Sequence, residues 1–123
     1  SLLPVLLDES SAYLVHPNGE IVCLNKADGS IRWVLETDLP VAGTPFLWQS
    51  HVIVPFKSNK EMQLLQVQRT TGVREKATPK LDVKPGFILS YSPALKSLIA
   101  AFDNKVVAID PDDWGAVWTQ TLT

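Results

Sequence analysis

The sequence predicts an all-β protein built from three consecutive four-stranded antiparallel sheets. Short apolar runs bounded by turn residues fill the chain, no long window keeps the apolar spacing of an amphipathic helix, and one pattern recurs three times. Hydrophobic residues make up 46% of the 123 residues and charged residues 20%, which is typical of a globular protein. The length suits a single domain.

The first third of the chain predicts four strands. Leu2–Leu7 is an apolar run that ends at the polar step DESS, and Ala12–His16 ends at the turn PNG. Glu20–Asn25 contains the apolar run IVCL, and Ile31–Glu36 follows the turn KADG, in which Asp-Gly supplies the positive φ that a hairpin turn requires. These strands form a tight antiparallel meander.

The middle third repeats this organisation. Thr44–Trp48 and His51–Phe56 flank a short polar turn, Gln63–Gln68 follows the step SNK, and Val73–Thr78 follows the turn TTG. We therefore expect four further strands here.

The last third predicts the final four strands. Gly86–Tyr91 and Ser97–Phe102 are apolar segments, and Lys105–Ile109 follows the turn DN. Ala116–Leu122 follows the acidic turn PDD.

Self-comparison shows an internal repeat. Ile21–Trp33, Leu64–Lys76 and Val106–Trp118 align without gaps, and their starts lie 43 and 42 residues apart. Each copy consists of an apolar strand, a polar turn with glycine and a further strand. In the third copy the glycine, Gly115, comes one place late, so we expect its turn to be one residue longer and its last strand to start one residue later.

A period near 42 residues with four strands per unit indicates the blades of a β-propeller. A four-stranded sheet that is apolar on both faces cannot bury itself, so neighbouring sheets must stack around an axis. We predict a single propeller segment with blades at about 1–43, 44–85 and 86–123. Three blades do not close a ring, so we expect the chain to be part of a longer protein or to pair with another copy. A closed β-barrel or sandwich is the alternative fold.

The repeat resembles that of pyrroloquinoline-quinone (PQQ) dehydrogenases and their non-enzymatic relatives. Leu24-Asn25, Asp28-Gly29 and Trp33 carry the likeness, and Val107–Asp110 with Trp118 resembles it as well. In that family the repeat tryptophan stacks on the turn of an adjacent blade. The resemblance thus implies a structural docking role for five residues: Trp33, Trp118, Gly29, Gly72 and Gly115.

The second copy departs from this pattern, because Lys76 stands where the other two copies have tryptophan. We expect the second junction between blades to be weaker than the first, or to be made differently. Trp48 and Trp114 lie outside the repeat pattern, and either could be exposed.

The acidic turn DPDDWG is the most suggestive chemical motif. It resembles the start of a calcium loop, but Trp114 stands at the fifth position and Thr121 at the twelfth, where the ion needs a bidentate glutamate. A solvated turn is therefore the better interpretation. Trp114, with the neighbouring Asp112 and Asp113, is kept as a ligand candidate, since an aromatic ring beside carboxylates could face a ligand.

No catalytic or metal-binding residue is predicted. His16 and His51 lack a partner cysteine and metal-ligand spacing, and no nucleophile elbow or phosphate-binding loop is present. The family resemblance implies that a PQQ enzyme would need a tryptophan platform, a calcium site and often a disulfide between adjacent cysteines. Cys23 is the only cysteine and no matching ligand set is found, so no cofactor is predicted. Cys23 itself has the pattern of a small core residue.

The predicted function is a non-enzymatic PQQ-like propeller module for protein binding or scaffolding. The alternative is a fragment of a PQQ-dependent dehydrogenase whose active-site residues lie outside this segment. The resemblance favours a periplasmic, extracytoplasmic or luminal location. The loops Asp8–Ser11, Ser58–Glu61 and Pro79–Pro85 vary most between copies and are candidate recognition segments.

Charge and hydropathy limit the partners. A net charge of −2 and a pI near 5.6 give no basic field, so no binding to nucleic acid is predicted. The uncharged stretch Leu39–Phe56 contains three prolines and is not a membrane span. The expected partner is a protein, the remaining blades of a parent chain, or a second copy in a homo-oligomer.

Overall fold

The computed structural model describes residues 5–58, 61–78, 81 and 88–122. These parts of the chain contain strands and turns and no helix, which confirms the predicted all-β class. They therefore include no helix that is long and apolar enough to cross a membrane. The strands are β1 (Leu6–Leu7), β2 (Ser11–Val15), β3 (Ile21–Asn25), β4 (Ile31–Leu35), β5 (Phe46–Trp48), β6 (His51–Ser58), β7 (Glu61–Gln68), β8 (Ile88–Ser92), β9 (Ser97–Phe102), β10 (Lys105–Ile109) and β11 (Ala116–Thr121).

The strands form three antiparallel sheets in which sequence neighbours pair. Blade 1 contains β1 to β4, blade 2 contains β5 to β7, and blade 3 contains β8 to β11. Short turns link the strands within each sheet, as expected for hairpin-connected meanders. Several expected segments fall partly outside the described residues. These are residues 2–4 of the first strand, 86–87 of the ninth, 59–60 of the loop Ser58–Glu61, and 79–80 and 82–85 of the loop Pro79–Pro85.

The fourth strand expected at Val73–Thr78 is not formed, so the middle sheet has three strands rather than four. The segment still follows the edge of β7, because the Thr78 amide donates to the Leu64 carbonyl at 3.0 Å. The reciprocal bond of a regular ladder is replaced, since the Leu64 amide donates to Thr78 Oγ1 at 2.9 Å. Gln63 Nε2 donates to the freed Thr78 carbonyl at 2.9 Å. Side-chain groups thus compete successfully with the backbone pairing.

The third repeat turn also differs from expectation. The Trp114 amide donates to the Asp110 carbonyl at 2.6 Å, just as the Gly29 amide donates to Asn25 at 2.7 Å in the first turn. The φ of Trp114 is 61°, close to the 75° of Gly29. Trp114 therefore occupies the glycine position of the turn, and Gly115 follows it.

The third turn is consequently no longer than the first, and the expectation of an extra residue is wrong. Ile109 pairs with Ala116 and Ala108 with Trp118, which is the same bulged register that blade 1 shows. The gapless alignment placed Trp114 opposite Gly29 correctly, but the late glycine suggested a longer turn because the hydrogen bonds, rather than the residue type, define the turn.

Two hydrophobic clusters lie between the sheets, one on each face of blade 2. Successive residues of β6 point to opposite sides, so Val52 and Val54 join the first cluster while Ile53 joins the second. The first cluster joins blades 1 and 2 and contains Tyr13, Val15, Ile21, Cys23, Trp33, Val52, Val54, Phe56, Leu65 and Val67. The second joins blades 2 and 3 and contains Phe46, Ile53, Met62, Leu64, Leu81, Leu98, Ala100, Val107 and Ile109. The middle sheet is thus buried on both faces, as a blade between two neighbours must be.

The outer faces of blades 1 and 3 carry apolar side chains in contact with solvent. On blade 1, Ile31 is 65% exposed and Val34 is 48% exposed. On blade 3, Trp118 is 46% exposed and Leu122 is 53% exposed. These faces have no sheet packed on them among the described residues.

Candidate docking site

Trp33 links blade 1 to blade 2 at the first junction. It lies on β4 and is only 9% exposed. Its Nε1 donates to the Arg69 carbonyl at 2.8 Å. The indole ring covers Gly72, where an added Cβ would lie 2.6 Å from Trp33 Cδ2. Position 72 therefore requires glycine for two reasons: the indole ring leaves no space for a Cβ, and the backbone φ is 74°.

An ionic contact supports the same junction. Asp8 Oδ2 accepts a hydrogen bond from the Tyr13 hydroxyl at 2.6 Å and lies 3.5 Å from Arg69 Nη1. Asp8 Oδ1 accepts from the amides of Ser10 and Ser11. Arg69 thus binds blade 1 through both its carbonyl and its guanidinium. The recognition segment expected at Asp8–Ser11 contributes its first residue to this contact.

The Asp8–Tyr13 hydrogen bond shifts both pKa values. Burial opposes ionisation of Asp8, but the hydrogen bonds that it accepts and the nearby Arg69 outweigh burial and hold its pKa below the usual value. Burial and the hydrogen bond to Asp8 raise the pKa of Tyr13 to about 12. Asp8 is therefore ionised and Tyr13 neutral over the whole physiological range.

The second junction is built differently. Lys76, which takes the place of Trp33 in the repeat, is exposed. Trp114 instead supplies an indole from the turn of blade 3, and its ring lies 5.6 Å from that of Trp48 in an edge-on arrangement. A groove of about 510 Å³ remains beside Trp114, lined by Gln63, Gln66, Lys76, Ala77 and Thr78. At the first junction the indole belongs to the earlier blade, blade 1, whereas at the second junction it belongs to the later blade, blade 3.

The ligand candidates of the acidic turn do not converge. Trp114 lines the groove just described, whereas Asp112 lines a different cavity of about 320 Å³ beside Trp48. Asp113 is exposed, and its Oδ1 accepts a hydrogen bond from the Gly115 amide at 2.8 Å. No group of three or more potential metal ligands occurs among the described residues.

A polar network that the sequence did not reveal spans one end of blade 2. His51 Nε2 lies 2.9 Å from Glu75 Oε2, and Gln68 Nε2 donates to Glu75 Oε1 at 2.8 Å. These hydrogen bonds lower the pKa of Glu75. His16 lies on blade 1, 3.6 Å from Glu20, so the two histidines do not share a site.

The tryptophan and the glycine of the Trp33–Gly72 contact each have a counterpart elsewhere, the tryptophan on blade 3 and the glycine on blade 1. Trp118 pairs with Ala108 as Trp33 pairs with Cys23, yet it is 46% exposed. Gly29 holds the turn position of Gly72, but no heavy atom lies within 4 Å of where its Cβ would be. Blade 3 therefore presents an uncovered tryptophan, and blade 1 presents an uncovered turn.

The repeat geometry agrees with the comparison with known families. The family model described as outer membrane protein assembly factor BamB matches residues 2–123. The chain belongs to this BamB family. Its PQQ-like repeat, expected from the sequence, is thereby confirmed. No curated protein matches the sequence closely enough to count as a relative.

Three solved structures show the fold of this BamB-family chain. A europium-containing methanol dehydrogenase has a TM-score of 0.68 at 15% identity, covering 98% of this chain and 32% of its own. BamB from Moraxella catarrhalis has a TM-score of 0.63 at 20% identity, covering 95% and 35%. Quinohemoprotein alcohol dehydrogenase ADHIIG from Pseudomonas putida HK5 has a TM-score of 0.65 at 14% identity, covering 95% and 26%. The chain therefore has a β-propeller-type fold and spans about a third of the first two structures and a quarter of the third.

Proposed function

We propose that this chain is a non-enzymatic scaffolding module of a larger or oligomeric propeller, and that it binds protein through the outer faces of blades 1 and 3. The exposure of Trp118 carries the proposal. Trp33 is 9% exposed at the equivalent position of blade 1, whereas Trp118 is 46% exposed. Covering an indole and the apolar sheet beneath it contributes about 2–4 kcal/mol, so such a face favours association with protein.

The family supports a role in protein binding and an extracytoplasmic location. The matching family is described as an outer membrane protein assembly factor, and one structural neighbour is a BamB. We propose a periplasmic or other extracytoplasmic setting on this basis. Trp33, Gly72, Trp118 and Gly29 are the residues to which we assign docking roles. Gly115, which follows the docking position in its turn, is not assigned one.

A second candidate function is part of a PQQ-dependent dehydrogenase. It is favoured by the structural likeness to a methanol dehydrogenase and a quinohemoprotein alcohol dehydrogenase. Trp114 and Trp48 each line an open cavity of this segment, so their fluorescence would report a quinone bound there.

Titration with PQQ and calcium tests whether this segment itself contributes to a quinone site. Tryptophan fluorescence is recorded for the wild-type chain and for Trp114→Phe. The scaffolding proposal predicts no saturable quenching, together with binding of a hydrophobic dye that Trp118→Gln reduces. Tight, saturable quenching that depends on calcium would overturn the scaffolding proposal and support the dehydrogenase.

A further inference from the structure

We propose that the cavity beside Trp48, between blades 2 and 3, binds a short proline-rich segment of a partner protein. The cavity has a volume of about 320 Å³ and lies where the turns after β5, β8 and β10 meet. Both of its walls belong to blades that pack on each other within the chain. This inference rests on the proposed role in protein binding and specifies the chemistry of one partner.

Two aromatic side chains and two prolines contribute to the lining of this cavity. Trp48 ends β5 and Tyr91 lies near the end of β8, while Pro93 and Pro111 come from two turns of blade 3. Grooves lined by aromatic side chains are the usual binding sites of proline-rich peptides. These four residues therefore offer ring surfaces against which the pyrrolidine rings of a ligand can pack.

Both aromatic rings are held in place by contacts within the chain. Tyr91 stacks on the buried Phe46, with ring centroids 6.5 Å apart and an interplanar angle of 13°. Trp48 stacks on His51 at 6.4 Å and meets Trp114 edge-on at 5.6 Å. A side chain that its neighbours already fix loses little conformational freedom on binding, so the cavity is preorganised for a ligand.

The polar groups of both rings are free to donate hydrogen bonds. Neither Trp48 Nε1 nor the Tyr91 hydroxyl has a hydrogen-bond partner among the described residues. His51 Nδ1 is the one buried side-chain polar atom without a partner in the same part of the chain, so these two donors reach solvent. A polyproline II segment has no internal hydrogen bonds, and proline brings no N–H that needs an acceptor. The donors of the wall therefore match the unpaired carbonyls of such a segment.

Two opposite charges at the cavity give the segment a direction. Lys96 and Asp112 both line the cavity, and neither forms an ion pair within the described part of the chain. Both side chains are exposed. Exposed ion pairs contribute little affinity, but they select the orientation of a partner. We therefore expect an acidic residue on one side of the proline run, near Lys96, and a basic residue on the other side, near Asp112.

Isothermal titration calorimetry with synthetic peptides tests this inference. The probes are capped peptides with a run of prolines between glutamate and arginine, in both orders, and matching peptides in which alanine replaces proline. The wild-type chain is expected to bind one proline order saturably and the alanine peptides at least tenfold more weakly. Trp48→Phe and Tyr91→Phe, which keep an aromatic ring but remove a donor, should each raise the dissociation constant threefold or more. Leu95→Ala is the control that leaves the constant unchanged, because Leu95 lies in the same turn as Lys96 but outside the lining.

Exchanging the two charges tests the direction of the segment. The double variant Lys96→Glu, Asp112→Lys keeps the net charge and is expected to prefer the opposite peptide order. Circular dichroism confirms that each variant is folded.

Four results would overturn the proline-segment site. These are no saturable binding, equal binding of the proline and alanine peptides, affinities unchanged in both ring variants, and an order preference that the charge exchange does not reverse. Tighter binding of free amino acids than of the peptides would overturn it as well, since the cavity would then be a small-molecule site. None of these results alters the dye binding that Trp118→Gln reduces, so failure of this site and failure of the scaffolding role are distinguishable.

Discussion

Single residues decide how each blade meets the next. At the first junction an indole lies on a glycine, and at the second the glycine position itself carries the indole of Trp114. A tryptophan with a φ of 61° costs about 1–2 kcal/mol in backbone strain, because its Cβ crowds the following carbonyl. The contact with Trp48 offsets that cost.

Rebuilding the second junction in the form of the first tests whether the contact of Trp114 outweighs its backbone strain. Trp114→Gly relieves the strain but leaves Trp48 and the groove uncovered, so we expect a net loss of about 1–3 kcal/mol in the free energy of unfolding. Adding Lys76→Trp should recover most of it, because the double variant recreates the residues of the first junction. Urea unfolding measures both. A double variant no more stable than Trp114→Gly would show that the second junction cannot accept an indole from the strand side.

Substitution of Gly72 is expected to destabilise the fold far more than substitution of Gly29. Gly72→Ala places a Cβ 2.6 Å from a ring atom of Trp33 and also strains the turn, so we expect a loss of about 2–4 kcal/mol and a red shift of tryptophan emission. Gly29→Ala has the same φ cost without the collision and should lose about 1 kcal/mol. Urea unfolding at low protein concentration compares the two, and equal losses would contradict the close contact.

The Asp8 cluster should make stability depend on pH at both extremes. Because the Asp8 pKa is lower in the folded chain than in the unfolded one, the stabilisation is present above about pH 4 and lost as the pH falls through the folded value. The Tyr13 pKa is raised to about 12, so its stabilisation is complete below about pH 10 and lost as the pH rises towards 12.

Matched variants separate these two effects. Asp8→Asn should flatten the acid limb of thermal unfolding against pH and cost about 1–2 kcal/mol at pH 7. Tyr13→Phe should flatten the alkaline limb. An acid limb that is unchanged in Asp8→Asn would mean that other carboxylates control acid unfolding.

At the level of elements, the edge of blade 2 shows how side chains can prevent a strand. The Thr78 hydroxyl accepts a hydrogen bond from the Leu64 amide, and the Gln63 side chain donates one to the Thr78 carbonyl. Thr78 is itself buried. The backbone groups of Leu64 and Thr78 at this edge therefore have hydrogen-bond partners, although the edge lacks a regular ladder of strand pairing.

Removing that hydroxyl should be costly. Thr78→Val keeps the shape but leaves the buried Leu64 amide without its acceptor, so we expect a loss of about 1–3 kcal/mol in the free energy of unfolding. Thr78→Ser, which keeps the hydroxyl, is the control with a smaller loss. Hydrogen exchange at Leu64 should accelerate only in the valine variant, and slow exchange there would indicate that a regular strand has formed instead.

At the level of the whole molecule, the repeat made the architecture predictable. Gly29 and Gly72 lie 43 residues apart, which is one blade period, and Trp33 and Trp118 lie 85 residues apart, which is two. The features that the sequence did not predict, such as the third turn, depend on hydrogen bonds that residue types do not specify. Trp114 in a left-handed turn contradicts the preference for glycine, so the sequence pointed to Gly115 instead.

The candidate site was predicted in part for a related reason. The repeat tryptophans and glycines were visible as a pattern, but the exposure of Trp118 depends on which neighbours are present. The pairing of His51 with Glu75 depends on the register of β6 and β7 and on the segment that follows the edge of β7, which no local motif records.

The two-sided burial of the middle sheet bears on how the molecule denatures. Val52 and Ile53 are adjacent in sequence, yet they anchor different clusters, so blade 2 cannot open without dissolving both. Repeat arrays often lose their units one after another. Here the central unit is shared, and heating should produce one cooperative transition in which all three blades are lost together.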